Sequence, residues 1–148
     1  MTRERSARAP GPPSQRGGGR LVLLVDDIED NREMYVQYLT FTGYRVAEAD
    51  SGQDALVKAA ALRPDVIVMD MSLPGMDGWE ATRRLKKDPV TKKIPVVALT
   101  GHAFAGSDER AREAGCDGFL TKPCTPDELA NKIDGLLADG RHGGETAR

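Results

Sequence analysis

The chain has 148 residues and a formal net charge of −2, a length that suits one domain with a substantial core. The charge is unevenly distributed: the first 20 residues contain five arginines and one glutamate, whereas the rest carries 16 basic and 22 acidic side chains. No apolar run is long enough to span a membrane, and none follows the basic segment as in a secretory signal. These features argue against a membrane or secreted protein and predict a cytoplasmic one.

Residues 1–20 form an arm rich in Gly, Pro and Arg, without apolar periodicity. We predict that it is a disordered, solvated tail, because this composition cannot bury enough apolar surface to fold. A weak arm for nucleic acid or an anionic surface is the alternative. Residues 139–148 are expected to form a second, flexible Gly-rich tail. Cys116 and Cys124 show neither metal-binding spacing nor a disulfide framework, which favours reduced thiols.

Between these tails, short apolar runs alternate with helical patterns. Five strands are predicted, at Leu21–Val25, Tyr44–Glu48, Val66–Met69, Ile94–Leu99 and Gly118–Thr121. Five helices are predicted, over Glu29–Thr42, Ser51–Leu62, Trp79–Lys86, Asp108–Ala114 and from Pro126 to about residue 138. The first helix is expected to bury one face, made by Met34, Tyr35, Tyr38 and Leu39. Ser51, Asp77 and Thr125 are typical N-cap residues for the second, third and fifth helices.

This pattern is a βα unit repeated five times. Strands joined by helical crossovers are parallel, and right-handed crossovers leave few possible topologies. We therefore predict an α/β domain over residues 21–138, a doubly wound, flavodoxin-like parallel sheet with strand order 2-1-3-4-5. In that order strands 1 and 3 are neighbours at the switch point, where such folds hold ligands.

Carboxylates follow both of these central strands. Asp26 and Asp27 end the first strand, and Asp70 ends the third; Asp70 alone could merely begin a polar loop. Two carboxylates about 4 Å apart repel by on the order of 4 kcal/mol at an effective dielectric near 20, so a cation is expected, and oxygen ligands suit Mg²⁺. Thr100 and Lys122 end the fourth and fifth strands at the same edge. The set predicts a phosphoryl-transfer site with a carboxylate nucleophile.

Four motifs in this order resemble the receiver domain of bacterial two-component response regulators. They are Asp26-Asp27, then D-M-S-L-P-G-M-D-G from Asp70, then A-L-T-G, then F-L-T-K-P, and the resemblance spans about residues 21–137. It implies that Asp70 accepts a phosphoryl group from a histidine kinase or a histidine phosphotransfer protein. It also implies that Asp27, Asp70 and the Ser72 backbone carbonyl hold Mg²⁺, with Asp26 acting mainly through water.

The resemblance also assigns switch residues. Thr100 would hydrogen-bond the aspartyl phosphate, Lys122 would pair with it, and the Lys122-Pro123 bond would be cis. Phe119 matches the family's aromatic switch position, where many members have Tyr. Output would pass to a protein partner through the fourth helix, fifth strand and fifth helix, without a DNA-binding domain. His102, two residues past Thr100, is either a plain loop residue or an influence on water near the phosphate.

Two other functions compete with this phosphorylation switch, which would promote only its own phosphorylation and dephosphorylation. A receiver-like interaction module that is not phosphorylated usually lacks one of the site residues, whereas all of them are present here. An aspartyl-nucleophile phosphatase of the haloacid dehalogenase type needs a second acid two residues after the nucleophile. That position holds Ser72, which disfavours the enzyme.

Overall fold

The structure is a computed structural model that describes residues 17–101 and 107–146. Within these residues, the strands β1 to β5 run over Leu21–Val25, Arg45–Ala49, Val66–Asp70, Val96–Thr100 and Gly118–Thr121. The helices α1 to α5 run over Glu29–Phe41, Gly52–Leu62, Gly78–Lys87, Ser107–Ala114 and Pro126–Thr146. The expectations for residues 1–16 and for His102 fall outside the described residues.

The five strands form one parallel sheet in the order β2-β1-β3-β4-β5, which confirms the predicted topology. β1 lies between β2 and β3, so the direction of the connections reverses beside it. Every residue of β3 and β4 is buried, since helices cover both faces of the sheet. This burial explains why their sequences are continuous apolar runs without alternation.

The core has two layers, one on each face of the sheet. Leu23 and Ile67 point to the layer covered by α2, α3 and α4. Leu24 and Val68 point to the layer covered by α1 and α5. Because successive side chains of a strand face opposite sides, each strand contributes to both layers and the sheet is clamped between them.

Helix starts follow the predicted caps. The side chains of Ser51 and Asp77 each accept a hydrogen bond from the backbone amide three residues further on. At α5, the Glu128 amide donates to Thr125 Oγ1 at 3.0 Å, and the Thr125 amide donates to Glu128 Oε1 at 2.8 Å. This reciprocal pair is a capping box, and it fixes where the chain turns after β5.

Some predicted details are wrong. Met34 is 43% exposed, because the buried face of α1 is centred on Tyr35 and Leu39, and Met34 points about 100° away from Tyr35 around the helix axis. α5 extends to Thr146, over residues where we predicted a tail beginning at Asp139. Propagating an existing helix needs no new nucleus and adds one backbone hydrogen bond per residue, which favours the extension despite the low helix propensity of its glycines.

The predicted arm also ends earlier than expected. Gly17 is buried, and its amide donates to the Thr42 carbonyl at 2.7 Å. The Gly19 amide donates to the Gly43 carbonyl at 3.0 Å. Residues 17–20 therefore attach to the turn between α1 and β2 instead of belonging to a solvated tail. None of the helices in the described ranges combines the length and apolar character needed to cross a bilayer.

Candidate functional site

Three carboxylates meet at the carboxyl edge of the sheet, between β1 and β3. One oxygen from each of Asp26, Asp27 and Asp70 lies within 4.8 Å of the others. Asp26 and Asp70 are 1% and 2% exposed, whereas Asp27 is open to solvent. The structure thus brings together the acids that the sequence placed at two adjacent strand ends, with a solvent-facing side through which a ligand can enter.

Asp70 is held through both of its oxygens. Its Oδ1 accepts hydrogen bonds from the Ser72 backbone amide at 3.0 Å and the Ser72 hydroxyl at 2.9 Å. Its Oδ2 accepts from Lys122 Nζ at 3.1 Å. A carboxylate that is oriented in this way and paired with an ammonium group is fixed in position for a reaction at one oxygen.

Asp26 is less well satisfied. Its Oδ1 accepts from the Ile28 amide at 2.9 Å, but its buried Oδ2 has no hydrogen-bond partner among the described residues. Lys122 Nζ lies 3.8 Å from that oxygen. Burial raises the pKa of Asp26, the Ile28 amide and Lys122 oppose this rise, and the charges of Asp70 and Asp27 add to it. The ionised pocket is therefore short of positive charge.

This arrangement fits a divalent cation. The buried Asp26 Oδ2 lacks a hydrogen-bond donor among the described residues, and a cation facing it directly or through a bound water would offset its desolvation cost. The cluster offers oxygen donors from three carboxylates, one of them at the solvent-facing side. Oxygen donors with room for water suit Mg²⁺ better than metals that prefer nitrogen or sulfur.

The ends of β4 and β5 supply the other predicted site residues. Thr100 ends β4 and is buried, and its carbonyl accepts from the Lys122 amide at 2.7 Å. The Lys122-Pro123 bond is cis, as predicted. Phe119 is opposite Ala98 in the register and packs, half-buried, against the α2–α3–α4 layer.

Sequence reasoning missed two neighbours of the site. The Ser72 hydroxyl contacts Asp70 directly, although only its carbonyl had been assigned a role. Arg32 Nη1 donates to the Asp26 carbonyl at 2.8 Å, and its Nε pairs with Glu48 at 2.9 Å. The spacing from Asp26 to Arg32 matches no motif, so only the packing of α1 beside β2 reveals this contact.

The fold is that of a doubly wound α/β domain. Its site combines an acidic pocket with a threonine and a lysine at the strand ends. A sequence model of the response regulator receiver domain matches residues 22–134, and the chain belongs to that family. The polar-differentiation response regulator DivK of Brucella anthropi is 36% identical over 118 residues, covering 80% of this chain and 96% of that protein.

Solved structures agree with this assignment. The chemotaxis protein CheY4 of Vibrio cholerae is 31% identical, with a TM-score of 0.76 over 80% of this chain and 98% of that one. The receiver domain of the sensor histidine kinase PA1611 from Pseudomonas aeruginosa is 33% identical, with a TM-score of 0.72 over 81% and 98% of the two chains. That structure has a magnesium ion coordinated in its active site cleft.

Proposed function

We propose that the protein is a phosphorylation-activated switch of a two-component or phosphorelay system, and that Asp70 is its phosphoacceptor. The observation that carries this proposal is the setting of Asp70: it ends β3, Ser72 and Lys122 hold both of its oxygens, and two further acids adjoin it. Membership of the receiver family supports the same role. The donor would be a histidine kinase or a histidine phosphotransfer protein, acting in the cytoplasm.

In the proposed reaction, a carboxylate oxygen of Asp70 attacks the phosphorus of a phosphohistidine. The new P–O bond forms as the P–N bond breaks, and the imidazole leaves with the electron pair and takes up a proton. Lys122 Nζ lies 3.1 Å from Asp70 Oδ2 and pairs with the negatively charged phosphoryl oxygens once they are attached to Asp70. The Thr100 hydroxyl, at the end of the adjacent strand, donates a hydrogen bond to one of them.

Asp27, Asp70 and the Ser72 backbone carbonyl would hold Mg²⁺, with Asp26 acting through water. When bound, Mg²⁺ would offset the charge of the acids and of the transferring phosphoryl oxygens. The magnesium ion in the PA1611 receiver domain supports this assignment. Because an ion that binds only the folded state stabilises it, Mg²⁺ should raise the Tm of the wild type by an amount that grows with concentration.

The magnesium assignment has a matched control. Asp27→Asn should abolish the rise in Tm, whereas Asp30→Asn should keep it, since Asp30 is also exposed and acidic but lies outside the cluster. An undiminished Mg²⁺ response in Asp27→Asn would mean that the ion binds elsewhere.

The output would be a protein–protein contact rather than a reaction on another molecule. We propose that phosphorylation shifts the surface formed by α4, β5 and α5, because Lys122 directly follows β5 and β5 joins these two helices. Ser72 lies where an aspartyl-nucleophile phosphatase would need its second acid, which disfavours that enzyme.

Intact mass spectrometry tests the phosphoacceptor. Incubation with a small phosphodonor such as acetyl phosphate and Mg²⁺ should add one phosphate per chain, and EDTA should prevent it. Asp70→Asn should remain unmodified, while Asp30→Asn should be modified like the wild type. Full modification of Asp70→Asn would overturn the assignment, and an unmodified wild type would favour the interaction module that is not phosphorylated.

A further inference from the structure

Tyr35 connects α1 to the segment that follows Lys122. Its ring lies in the layer between the sheet and α1 and α5, and the residue is 3% exposed. Its hydroxyl donates to the Cys124 carbonyl at 3.1 Å and lies 3.5 Å from Cys124 Sγ. Cys124 comes two residues after Lys122, the residue whose ammonium group contacts Asp70.

Among the described residues, the backbone at this point makes few other hydrogen bonds. β5 ends at Thr121, and the Lys122 amide makes the last hydrogen bond to β4, at the Thr100 carbonyl. Pro123 has no N–H and can donate nothing. The capping box of α5 begins only at Thr125. The hydrogen bond from Tyr35 therefore holds the chain between the end of the sheet and the start of the helix.

Both partners of this hydrogen bond are buried, so its loss would leave a desolvated carbonyl unpaired. Burial and the contact with Cys124 raise the pKa of the Tyr35 hydroxyl well above its ordinary value. The hydroxyl thus remains a protonated donor across neutral pH, and its hydrogen bond to the Cys124 carbonyl does not depend on pH in that range.

We propose that Tyr35 is a positioning residue for phosphoryl transfer: it holds the backbone at Cys124 and so keeps the Lys122 ammonium group in contact with Asp70. This inference rests on the proposed role of Asp70. Tyr35 touches neither Asp70 nor a proposed metal ligand through any hydrogen bond that it makes in the described structure. Its effect would reach the reaction through Lys122 alone.

Tyr35→Phe removes the hydroxyl and keeps the ring. We expect phosphorylation of Asp70 by acetyl phosphate to slow about three- to tenfold, the range that corresponds to one lost hydrogen bond. The dissociation constant for Mg²⁺ should stay unchanged, because the acids are on β1, β3 and their loops. Tyr38→Phe is the control: this α1 hydroxyl donates to Asp127 Oδ1 at 3.1 Å, in the first turn of α5 and not in the segment that follows Lys122.

A double-mutant cycle separates positioning from a general structural effect. In a Lys122→Met background, adding Tyr35→Phe should change the rate no further, since the group that Tyr35 positions is absent. An equal slowing in both backgrounds, or an equal slowing by Tyr38→Phe, would overturn the proposal.

Amide exchange gives a second measurement that needs no phosphorylation. Tyr35→Phe should speed exchange at Lys122 and Cys124 and leave β1 and β3 unaltered; unchanged exchange at Lys122 and Cys124 would also overturn the proposal. If the wild-type protein takes up no phosphate while Tyr35→Phe speeds amide exchange as expected, the proposed function fails. The role of the Tyr35 hydrogen bond in holding the backbone at Lys122 and Cys124 would still be supported.

Discussion

The buried carboxylate of Asp26 lowers the stability of the metal-free fold while it contributes to the acidic pocket. Its Oδ2 is buried without a hydrogen-bond donor in the described structure, and its pKa is raised above the ordinary 3.8, mainly by burial. A group whose pKa is higher in the folded chain than in the unfolded chain binds more protons when folded. The ionised side chain therefore destabilises the metal-free fold at neutral pH.

We predict that Asp26→Asn stabilises the metal-free protein. In EDTA at pH 7, the free energy of unfolding should rise by on the order of 1 kcal/mol, which corresponds to a few degrees in Tm. The gain should disappear as the pH falls below 3.8, where wild-type Asp26 is protonated in both states. Urea unfolding at several pH values measures this.

Asp27→Asn serves as the comparison, because Asp27 is exposed and its removal should change the metal-free stability less. A metal-free Asp26→Asn that is less stable than the wild type at pH 7 would show that Lys122 already compensates the buried charge.

At the scale of elements, the described contacts anchor α4 at its carboxyl end. Ala114 is buried there, and Gly115 ends the helix with a φ of +101°, which glycine adopts without strain. Just beyond it, Asp117 Oδ2 accepts from the Val96 amide and from Lys86 Nζ, both at 2.9 Å. Along the helix, the Arg110 guanidinium lies 4.5 Å from the Trp79 ring centroid, a contact that can slide without loss of a directional bond.

We therefore predict that α4 moves when Asp70 is modified. Beryllofluoride, a mimic of aspartyl phosphate, should alter amide exchange in α4, β5 and α5 as well as in the acidic pocket. A coupling of about 1–3 kcal/mol would be sufficient. Phe119→Ala should leave Asp70 able to accept phosphate but remove the response of α4, because Phe119 belongs to β5 and packs against the α2–α3–α4 layer.

Phe41→Ala is the matched control, since Phe41 is an aromatic residue of α1 that is largely exposed. It should keep the whole exchange response. Changes confined to the Asp70 pocket in the wild type would rule out the α4–β5–α5 surface as the output.

At the scale of the whole molecule, residues 17–20 close the edge of the sheet opposite the pocket. The strands are parallel, so their first residues all lie at that edge, where Gly17 packs against the turn before β2. A Cβ at Gly17 would lie 2.4 Å from the Tyr44 amide nitrogen, a backbone atom that cannot move aside easily. The contact is therefore specific for glycine.

We predict that Gly17→Ala lowers the free energy of unfolding by about 1–3 kcal/mol, an amount typical of overpacking. The Tm should fall accordingly. Gly135→Ala should instead raise the free energy of unfolding by up to about 1 kcal/mol, because Gly135 is exposed in α5 and a Cβ there meets no atom within 4 Å. Thermal unfolding compares the two.

Truncation at the same end extends this test. Removal of residues 1–16 should change neither Tm nor phosphorylation of Asp70, whereas removal of residues 1–19 should lower Tm. Equal stability of the two truncated chains would show that the attachment of Gly17 and Gly19 contributes nothing.

Much of this architecture was predictable because its causes are local. Apolar runs of strand length, caps such as Thr125 and the alternation of strands with helices identify the elements. The handedness of crossovers then leaves a sheet in which Asp26 and Asp70 share one edge. The exceptions, the exposed side chain of Met34 and the long α5, arise where rotation about a helix axis or helix propagation decides the outcome.

The sequence by itself therefore determined the fold class and the set of acids, threonine and lysine at the strand ends, because each follows from patterns only a few residues long. The strand order followed once the crossover rule was applied to those elements. Only the tertiary structure decided which groups touch them. The hydrogen bond from Tyr35 to Cys124 joins residues 89 positions apart, and the attachment of Gly17 depends on the turn before β2. Such contacts depend on how two helical layers pack against one sheet, and no local pattern encodes those distances.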